Sequence, residues 1–547
     1  MKKAILSSCL FPFVLVTLAF IVSRFVLFQG FHGTDDLHYA MLSARMLKGS
    51  YDPFQPADIF SGRIVLIAWQ ALLYRTGGVN LFTTCIGTVI ATVAACFITV
   101  SRLLPVRNRS TVLVASSLFY FSPSLAMDIT GIEPDPYVML TGTCIVLLLK
   151  KGIREDPSRK IFFILIGVLI AATLLIKETV LVFLPYAIFV TLFYQKRWVN
   201  LLWILGSFAG IILLMGWGYY HFTGNAFFKF SQIENSAYPN PCNFSYLPAN
   251  DLVIRLTYGV WRTFILLGFY PFVLGGISLL LAILTKKNLQ WQKDYELTGF
   301  SILLLLSLYF PFSWSGYQPL CAAPRHFYFI LPLAVVIIST TLYRQREAKK
   351  SSLVFALLVL FALLVCIQGT GNKWQWMIYL LIFLYLLTQP FLARMAGRYH
   401  YLVLSAILFL SILEPLFFRR AQWFKNLQEL NGLLHAQYYY FPDHDNMMHW
   451  KLLHKYDDRL LNAYNFEKHP YKVYQVYYEK PDSTRFHPGW LIVNRVYTTC
   501  SPVFINKVDS LQHTGFFSKS VIRGGVGAYW MERKEQYQYI QENNFRR

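Results

Sequence analysis

Long apolar runs recur through the first 418 residues of the chain and constrain its fold more than any other feature. An α-helix needs about 20 apolar residues to cross the roughly 30 Å of hydrocarbon in a bilayer. The mean hydropathy is +0.42 and only 14% of the 547 residues are charged, which is too little charge for a soluble protein of this length. The pattern predicts a polytopic membrane protein whose spanning part is an all-α bundle.

The apolar runs predict about 13 transmembrane helices. They lie at residues 4–28, 80–100, 110–126, 136–150, 160–176, 178–194, 199–219, 258–284, 297–313, 327–343, 352–368, 374–393 and 401–418. The connectors alternate in charge, because one set holds 21 Lys and Arg residues whereas the other, more than twice as long, holds 9. Lys and Arg concentrate in cytoplasmic loops, so we expect the basic set and the N-terminus inside. This topology explains much of the formal charge of +22, and no nucleic acid is expected as a partner.

The last part of the chain, residues 419–547, is polar, rich in aromatic residues and long enough for a small domain. An odd number of spans places it outside the cytoplasm. Its pattern predicts a helix at 445–464 and strands at 471–479, 489–496 and 525–533. We therefore predict a transmembrane domain at 1–418 followed by a small α+β extracytoplasmic domain, in a protein of a bacterial inner membrane.

The first outer loop, residues 29–79, contains two segments that suit the membrane interface better than a crossing. Residues 34–48 place apolar side chains at helical spacing with polar residues between them, as in an amphipathic helix. The apolar stretch 64–74 is too short to span a bilayer. Two interfacial helices are therefore expected in this loop.

Carboxylates lie near the outer ends of two of the predicted spans. Asp35 and Asp36 fall in the first turn of the 34–48 helix, where negative charge favours the helix N-terminus. Asp135 precedes a proline and is a natural N-cap for the next span, whereas Glu133 is not needed by that cap. These structural explanations are sufficient by themselves, and the alternative is a shared chemical role on one face of the membrane.

Cations lie at two further mouths on the same side. Lys177 and Glu178 interrupt two apolar runs whose far ends are both basic, so they form the tip of a hairpin. An unpaired charge in hydrocarbon costs about 2.5–3.5 kcal/mol or more, so Lys177 snorkels, pairs with Glu178 or awaits an anionic ligand. Arg325 and His326 precede a late span, where they either snorkel or clamp a phosphate.

Carboxylates and cations at one membrane face, beside lipid, suit cleavage of a sugar–phosphate bond on a lipid carrier. A carboxylate can deprotonate the incoming nucleophile, and cations can stabilise the departing phosphate. The stretches "TDDLHYA", "EPDP", "KET" and "PRHFYFILP" carry these residues. In this order, over about residues 1–420, they resemble the GT-C glycosyltransferases, and most nearly the protein O-mannosyltransferase and aminoarabinose–lipid A transferase group.

The resemblance implies a helical membrane bundle that takes one sugar from a polyprenyl-phosphate carrier and transfers it outside the cytoplasm with inversion. The acceptor would be a lipid, a glycan or a protein, and membrane lipids surround the site. By position, Asp35 matches the catalytic aspartate of the family and Asp135 a second acidic position. Lys177 and Arg325 match its donor-phosphate cations, and His326 stands beside Arg325.

The chain departs from these relatives at two positions. The protein mannosyltransferases have Asp-Glu where Asp35 and Asp36 stand, and the aminoarabinose branch tends to have Arg in place of His38. Those differences leave the sugar and the acceptor open.

A divalent metal is a further option, because some members of the family use one. Asp35, Glu133 and Asp135 offer oxygen ligands that suit Mg²⁺ or Mn²⁺, although the sequence does not require a metal.

Two other functions compete with sugar transfer, namely a transporter or flippase of a lipid-linked glycan and a multispan scaffold. Transport needs polar residues near the bilayer midplane and broken spans, whereas this chain keeps its charges at the outer mouths. A scaffold would leave Asp35, Lys177 and Arg325 without a role. In the outer compartment, Cys242 and Cys321 are free to form a disulfide.

Overall fold

The computed structural model describes residues 2–545 apart from a set of short stretches. The residues outside the description are 1, 27, 29–30, 32–33, 57, 129, 156–158, 196–197, 236–241, 243, 245–247, 286–290, 292–293, 313–316, 346–348, 370–371, 398, 414–422, 458–461, 466–485, 495–501 and 546–547.

The first half of the chain is helical. It contains α1 (Lys2–Val26), α2 (Thr34–Leu47), α3 (Ile64–Gly77), α4 (Leu81–Ile98), α5 (Arg109–Tyr120), α6 (Pro123–Asp128), α7 (Asp135–Lys150), α8 (Lys160–Thr173), α9 (Phe183–Gln195) and α10 (Trp198–Thr223). The helices continue with α11 (Phe228–Asn235), α12 (Ala249–Ile254), α13 (Val260–Leu266), α14 (Tyr270–Thr285), α15 (Tyr295–Tyr309), α16 (Leu331–Gln345), α17 (Lys349–Gln368), α18 (Lys373–Ala396) and α19 (His400–Ser411). Short 3₁₀ or π turns occupy Thr99–Leu103, Lys151–Glu155, Glu178–Val182, Arg255–Gly259 and Pro324–Ile330.

Among the described residues, six helical stretches are long and apolar enough to cross a membrane, and seven shorter apolar helices accompany them. The chain is therefore an integral membrane protein with an α-helical bundle, while the number of 13 spans stays a prediction. Interfacial helices were expected near 34–48 and 64–74, and helices α2 and α3 lie there.

The expected continuous span at 258–284 is wrong, because the chain breaks between α13 and α14. Gly268 takes a left-handed conformation, with φ of 65°, that residues bearing a Cβ rarely adopt. A Cβ at this position would also collide with the side chain of Gln375 in α18. The break is thus required by the local backbone and by its packing.

The residues that follow α19, here called the tail, combine helices with one mixed sheet. The elements are α20 (Trp423–Leu433), β1 (Tyr438–Phe441), α21 (His444–Leu453), β2 (Asn462–Asn465), β3 (Gly489–Asn494), α22 (Pro502–His513), β4 (Ser520–Arg523), β5 (Val526–Met531) and α23 (Lys534–Phe545). The strand order is β2-β1-β3-β5-β4, in which β1 runs parallel to β2 and β3 while β5 runs antiparallel to β3 and β4.

The tail agrees with the predicted elements in part. Strands were expected at 489–496 and 525–533, and β3 and β5 confirm them. The helix expected at 445–464 is wrong beyond Leu453, because the chain turns there and Asn462–Asn465 pairs with β1 as a parallel strand. The expected strand at 471–479 lies outside the described residues.

Buried apolar side chains form a large core within the bundle and a second core that joins two parts of the chain. The second core combines side chains of α2 and α3, such as Leu37 and Ile67, with side chains of the tail, such as Phe424 and Trp450. Helix α2 is therefore packed against α3 and against the tail.

The close packing of α8 on α10 depends on Gly167. A Cβ there would collide with the backbone carbonyl of Ile204 and with Ser207. We expect Gly167→Ala to lower the thermal unfolding midpoint in detergent, because overpacking a core costs roughly 1–3 kcal/mol. The matched control is Gly206→Ala in α10, where a Cβ would meet no atom within 4 Å and the midpoint should stay unchanged or rise. A Gly167→Ala protein as stable as wild type would contradict this packing.

Candidate active site

Arg325 contacts two of the predicted carboxylates, one at the start of α2 and one just before α7. The NH2 group of Arg325 lies 3.5 Å from Asp35 Oδ2, and its NH1 group donates a hydrogen bond of 3.0 Å to Glu133 Oε1. The side chains of Asp35 and Arg325 are 26% and 31% exposed, whereas that of Glu133 is only 7% exposed. Asp35 is therefore the carboxylate of this group that an incoming molecule can reach.

The neighbouring carboxylate, Asp36, faces into the protein. It is buried against Gly131, where a Cβ would collide with the Asp36 carboxylate. Burial, followed by the charge of Asp36, raises the pKa of Glu133 well above its usual value. Arg325 acts in the opposite direction, but burial and the nearby negative charge outweigh it. The adjacent Asp35 and Asp36 thus have different environments.

A second group forms around Lys177, which follows the end of α8. Its Nζ donates hydrogen bonds of 2.7 and 2.6 Å to the two carboxylate oxygens of Asp135, and it lies 3.2 Å from His326 Nδ1. The side chains of Asp135 and Lys177 are 2% and 8% exposed. Burial lowers the pKa of Lys177, while the Asp135 carboxylate opposes that shift.

The expected N-cap role of Asp135 is wrong. Helix α7 starts at Asp135 itself, its N-cap residue is Pro134, and no side chain caps the first turn. The carboxylate instead accepts from Lys177, because a buried ammonium needs a charged partner, and the N–H groups of Tyr137 and Val138 already donate to the carbonyl of Pro134. Of the three alternatives for Lys177, the structure shows none, because its ion-pair partner is Asp135 and not Glu178.

Glu178 belongs to a third group that sequence reasoning missed. Its carboxylate lies 3.2 Å from the NH2 group of Arg63 and 3.4 Å from Nζ of Lys229. Arg63 ends the loop before α3, and Lys229 lies in α11. Both cations belong to the connector set that holds only 9 Lys and Arg residues, and that scarcity was the signal that could have found them.

A small turn shapes the loop that leads to Arg63. The Asp58 carboxylate accepts from the backbone N–H groups of Phe60 and Ser61 at 2.9 and 3.1 Å, and His38 Nε2 of α2 lies 3.5 Å from it. The Arg63 guanidinium then contacts Tyr39 of α2 and lies above the Phe60 ring. The loop is thereby fixed against α2.

The carboxylates expected as metal ligands pair with basic side chains instead. Arg325 contacts Asp35 and Glu133, and Lys177 contacts Asp135. Within the described part of the chain, no group of three or more His, Cys, Asp or Glu side chains could hold a metal ion. The described residues therefore do not assemble the Mg²⁺ or Mn²⁺ ligand set.

An open apolar groove of about 300 Å³ lies among α3, α4 and α7. It is lined by side chains of α3, α4 and α7, with Trp69 and Tyr137 among them, and by Ile176. Ile176 directly precedes Lys177, and Tyr137 follows Asp135 by two residues.

The disulfide between Cys242 and Cys321, which the sequence left open, is present. Arg255 also donates a hydrogen bond of 2.8 Å to the carbonyl of Leu320, and the Phe244 N–H donates one of 3.2 Å to Tyr317. The chain just before Arg325 is therefore tied to the long connector between α11 and α12.

The Lys177–Asp135 pair allows a double-mutant test. Lys177→Met should lower the thermal midpoint strongly, because breaking a buried ion pair from one side costs about 3–5 kcal/mol. Asp135→Asn added to Lys177→Met should recover most of that loss, since no charge is then left unpaired. Thermal unfolding in detergent measures both, and a double variant no more stable than Lys177→Met would contradict the pairing.

The raised pKa of Glu133 predicts a pH dependence of stability. Because folding favours its protonated form, the associated stability is present below the usual pKa of 4.5 and is lost as the pH rises through the raised value. The thermal midpoint of wild type should therefore fall over that range, and Glu133→Gln should fall less. Equal slopes for the two proteins, measured in matched buffers, would show that Glu133 does not titrate in this way.

No protein-family model and no curated protein sequence matches the chain. Solved structures do match it. Apo ArnT from Cupriavidus metallidurans superposes with a TM-score of 0.58 at 13% identity, covering 94% of this chain and 97% of that one. ArnT from the same organism bound to undecaprenyl phosphate gives 0.55 at 14% identity with the same coverage. The oligosaccharyltransferase of Archaeoglobus fulgidus gives 0.43 at 12% identity, covering 82% of this chain and 64% of that one.

Both ArnT comparisons extend over nearly the whole length of each chain, so the likeness includes the bundle and the tail together. The chain therefore shares its fold with ArnT from Cupriavidus metallidurans.

Proposed function

We propose that the chain is a membrane glycosyltransferase that moves one sugar from a polyprenyl-phosphate donor to a lipid, glycan or protein acceptor, with inversion. The observation that carries this proposal is the contact between the partly exposed side chains of Asp35 and Arg325 at one end of an apolar bundle. An accessible carboxylate beside an accessible guanidinium supplies a base and an anion clamp at one place. The shared fold with ArnT, which has been solved with undecaprenyl phosphate, supports the same reaction class.

Asp35 acts as the general base in this proposal. The acceptor oxygen attacks the anomeric carbon of the donor sugar while its proton passes to the Asp35 carboxylate. The bond between that carbon and the phosphate oxygen breaks, and its electron pair stays on the phosphate. A single displacement of this kind inverts the anomeric centre. Asp36 is buried and cannot take this role without a rearrangement of α2.

Arg325 and His326 are the groups that we assign to the departing phosphate. Both are partly exposed, and a guanidinium can bind two phosphate oxygens at once. Lys177 has three donors and no acceptor, so its contact makes His326 Nδ1 the acceptor and leaves the imidazole proton on Nε2. We propose that this Nε2–H donates to the phosphate, while Lys177 itself stays paired with Asp135.

The apolar groove beside Ile176 is the proposed path of the polyprenyl chain. Its surface is formed by side chains of three helices and by Ile176, the residue that directly precedes Lys177. An isoprenoid chain binds such a groove by burying apolar surface, at about 25 cal/mol per Å². The chain beyond the groove would lie in the bilayer.

The proposed orientation of the chain in the membrane follows from the charge pattern of the connectors. The N-terminus and the basic connectors would lie in the cytoplasm, and the site and the tail would lie on the extracytoplasmic side. In a bacterium this places the reaction in the outer leaflet of the inner membrane. The donor would therefore enter the site from the periplasmic face.

The test is sugar transfer from a panel of labelled polyprenyl-phosphate sugars by the purified chain, with membrane extract as the source of acceptor. Asp35→Asn should reduce transfer by about 10²–10⁴-fold, the usual contribution of general base catalysis. Asp251→Asn, which changes an exposed carboxylate in α12, is the matched control and should transfer at the wild-type rate.

Thermal unfolding verifies that both variants are folded. Transfer by Asp35→Asn at the wild-type rate would leave Asp35 as a helix-end residue only. Absence of transfer from every donor of the panel would reject the proposed reaction.

A further inference from the structure

The turn that follows α21 in the tail has an unusual backbone. Lys455 and Tyr456 are consecutive and both take left-handed conformations, with φ of 58° and 51°. Among the described residues, no other residue except glycine has a positive φ. Helices often end with one left-handed residue, but that residue is usually Gly or Asn, because a Cβ is crowded there. Two such residues in a row, neither of them glycine, point to a requirement beyond ending a helix.

Tyr456 contacts both ends of α2. Its hydroxyl donates a hydrogen bond of 3.1 Å to the carbonyl of Leu37, two residues after Asp35. Its own backbone carbonyl accepts a hydrogen bond from Nζ of Lys48, just beyond the last residue of α2. The Tyr456 side chain is almost fully buried, and burial raises its pKa well above the usual value, so the hydroxyl stays a donor.

Other contacts of α21 reinforce this attachment. His449 Nε2 accepts a hydrogen bond of 3.2 Å from the backbone N–H of Phe31, a few residues before α2. Leu37 and Trp450 belong to the same buried core. In the left-handed turn, the N–H of Tyr456 donates a hydrogen bond of 2.9 Å to the carbonyl of Lys451. This turn brings Tyr456 from the end of α21 back onto α2.

The position of α2 decides where Asp35 stands. The helix has 14 residues and does not cross the membrane, so only its neighbours hold it in place. On one side it packs against α3, and on the other it contacts α21 and Tyr456. Asp35 lies 3.5 Å from Arg325, and a shift of α2 would change that distance directly.

We propose that the Lys455–Tyr456 turn is a positioning element that holds α2, and with it the Asp35 carboxylate, in place for sugar transfer. The tail then takes part in the reaction by fixing the catalytic helix. It is not only a cover for the site or a platform for the acceptor. This inference rests on the proposed function, and Tyr456 is its positioning residue.

Tyr456→Phe tests the inference, because it removes the hydrogen bond to Leu37 and keeps the ring. The matched control is Tyr440→Phe in β1, whose buried hydroxyl donates to the carbonyl of His487 within the tail at 2.6 Å. Hydrogen exchange of α2 amides and steady-state transfer are measured on both full-length variants and on wild type.

We expect faster exchange in the first turns of α2 for Tyr456→Phe. We also expect a kcat about 10-fold lower, with the donor KM within about two-fold of wild type, since small misplacements of a reacting group are costly in rate. Tyr440→Phe should match wild type in both measurements. A loss of tail stability alone would not separate the two variants in this way.

Unchanged exchange in α2, or faster exchange with unchanged kcat, would overturn the inference. If Tyr456→Phe does not fold, Lys48→Met removes the second contact from an exposed position and should show the same changes to a smaller extent. If α2 exchange and kcat in Lys48→Met then equal those of wild type, the inference is overturned. If wild type transfers no sugar at all, the proposed function fails, and the exchange rates still decide whether the turn holds α2.

Discussion

The ion pair between Lys177 and Asp135 is the contact on which the arrangement of the site depends. Both side chains are buried at one end of an apolar bundle, where neither charge would be stable alone. Their pairing joins the start of α7 to the turn after α8, and it holds His326 through its Nδ1 atom.

Pairing of charges also separates the carboxylates by accessibility. Asp135 and Glu133 are buried against cations, while Asp35 remains partly open beside Arg325. Among these carboxylates, the accessible one is suited to take a proton from an incoming acceptor. The buried carboxylates instead fix the positions of the cations, which matters because electrostatic stabilisation works best when the charges are already in place.

The site is assembled from parts of the chain that lie far apart, and the tail is one of them. Helix α2 carries Asp35 but shares its apolar core with α20 and α21. Helix α2 is therefore held between the bundle and the tail, so that a change in the tail can alter the position of Asp35. This arrangement gives a physical reason for a tail that follows the bundle.

The sequence by itself determined the membrane class, the helix at 34–48, two strands of the tail and the candidate residues of the site, because composition and periodicity are local properties. It could not determine the partners of the charges. Lys177 and Asp135 are 42 residues apart, and Arg325 and Glu133 are 192 apart. Only the packing of the helices decided these pairs, placed Arg63 and Lys229 beside Glu178 and brought Tyr456 into contact with α2. The physical reason is that a buried charge is stable only beside an opposite charge, and the tertiary fold determines which residue lies there.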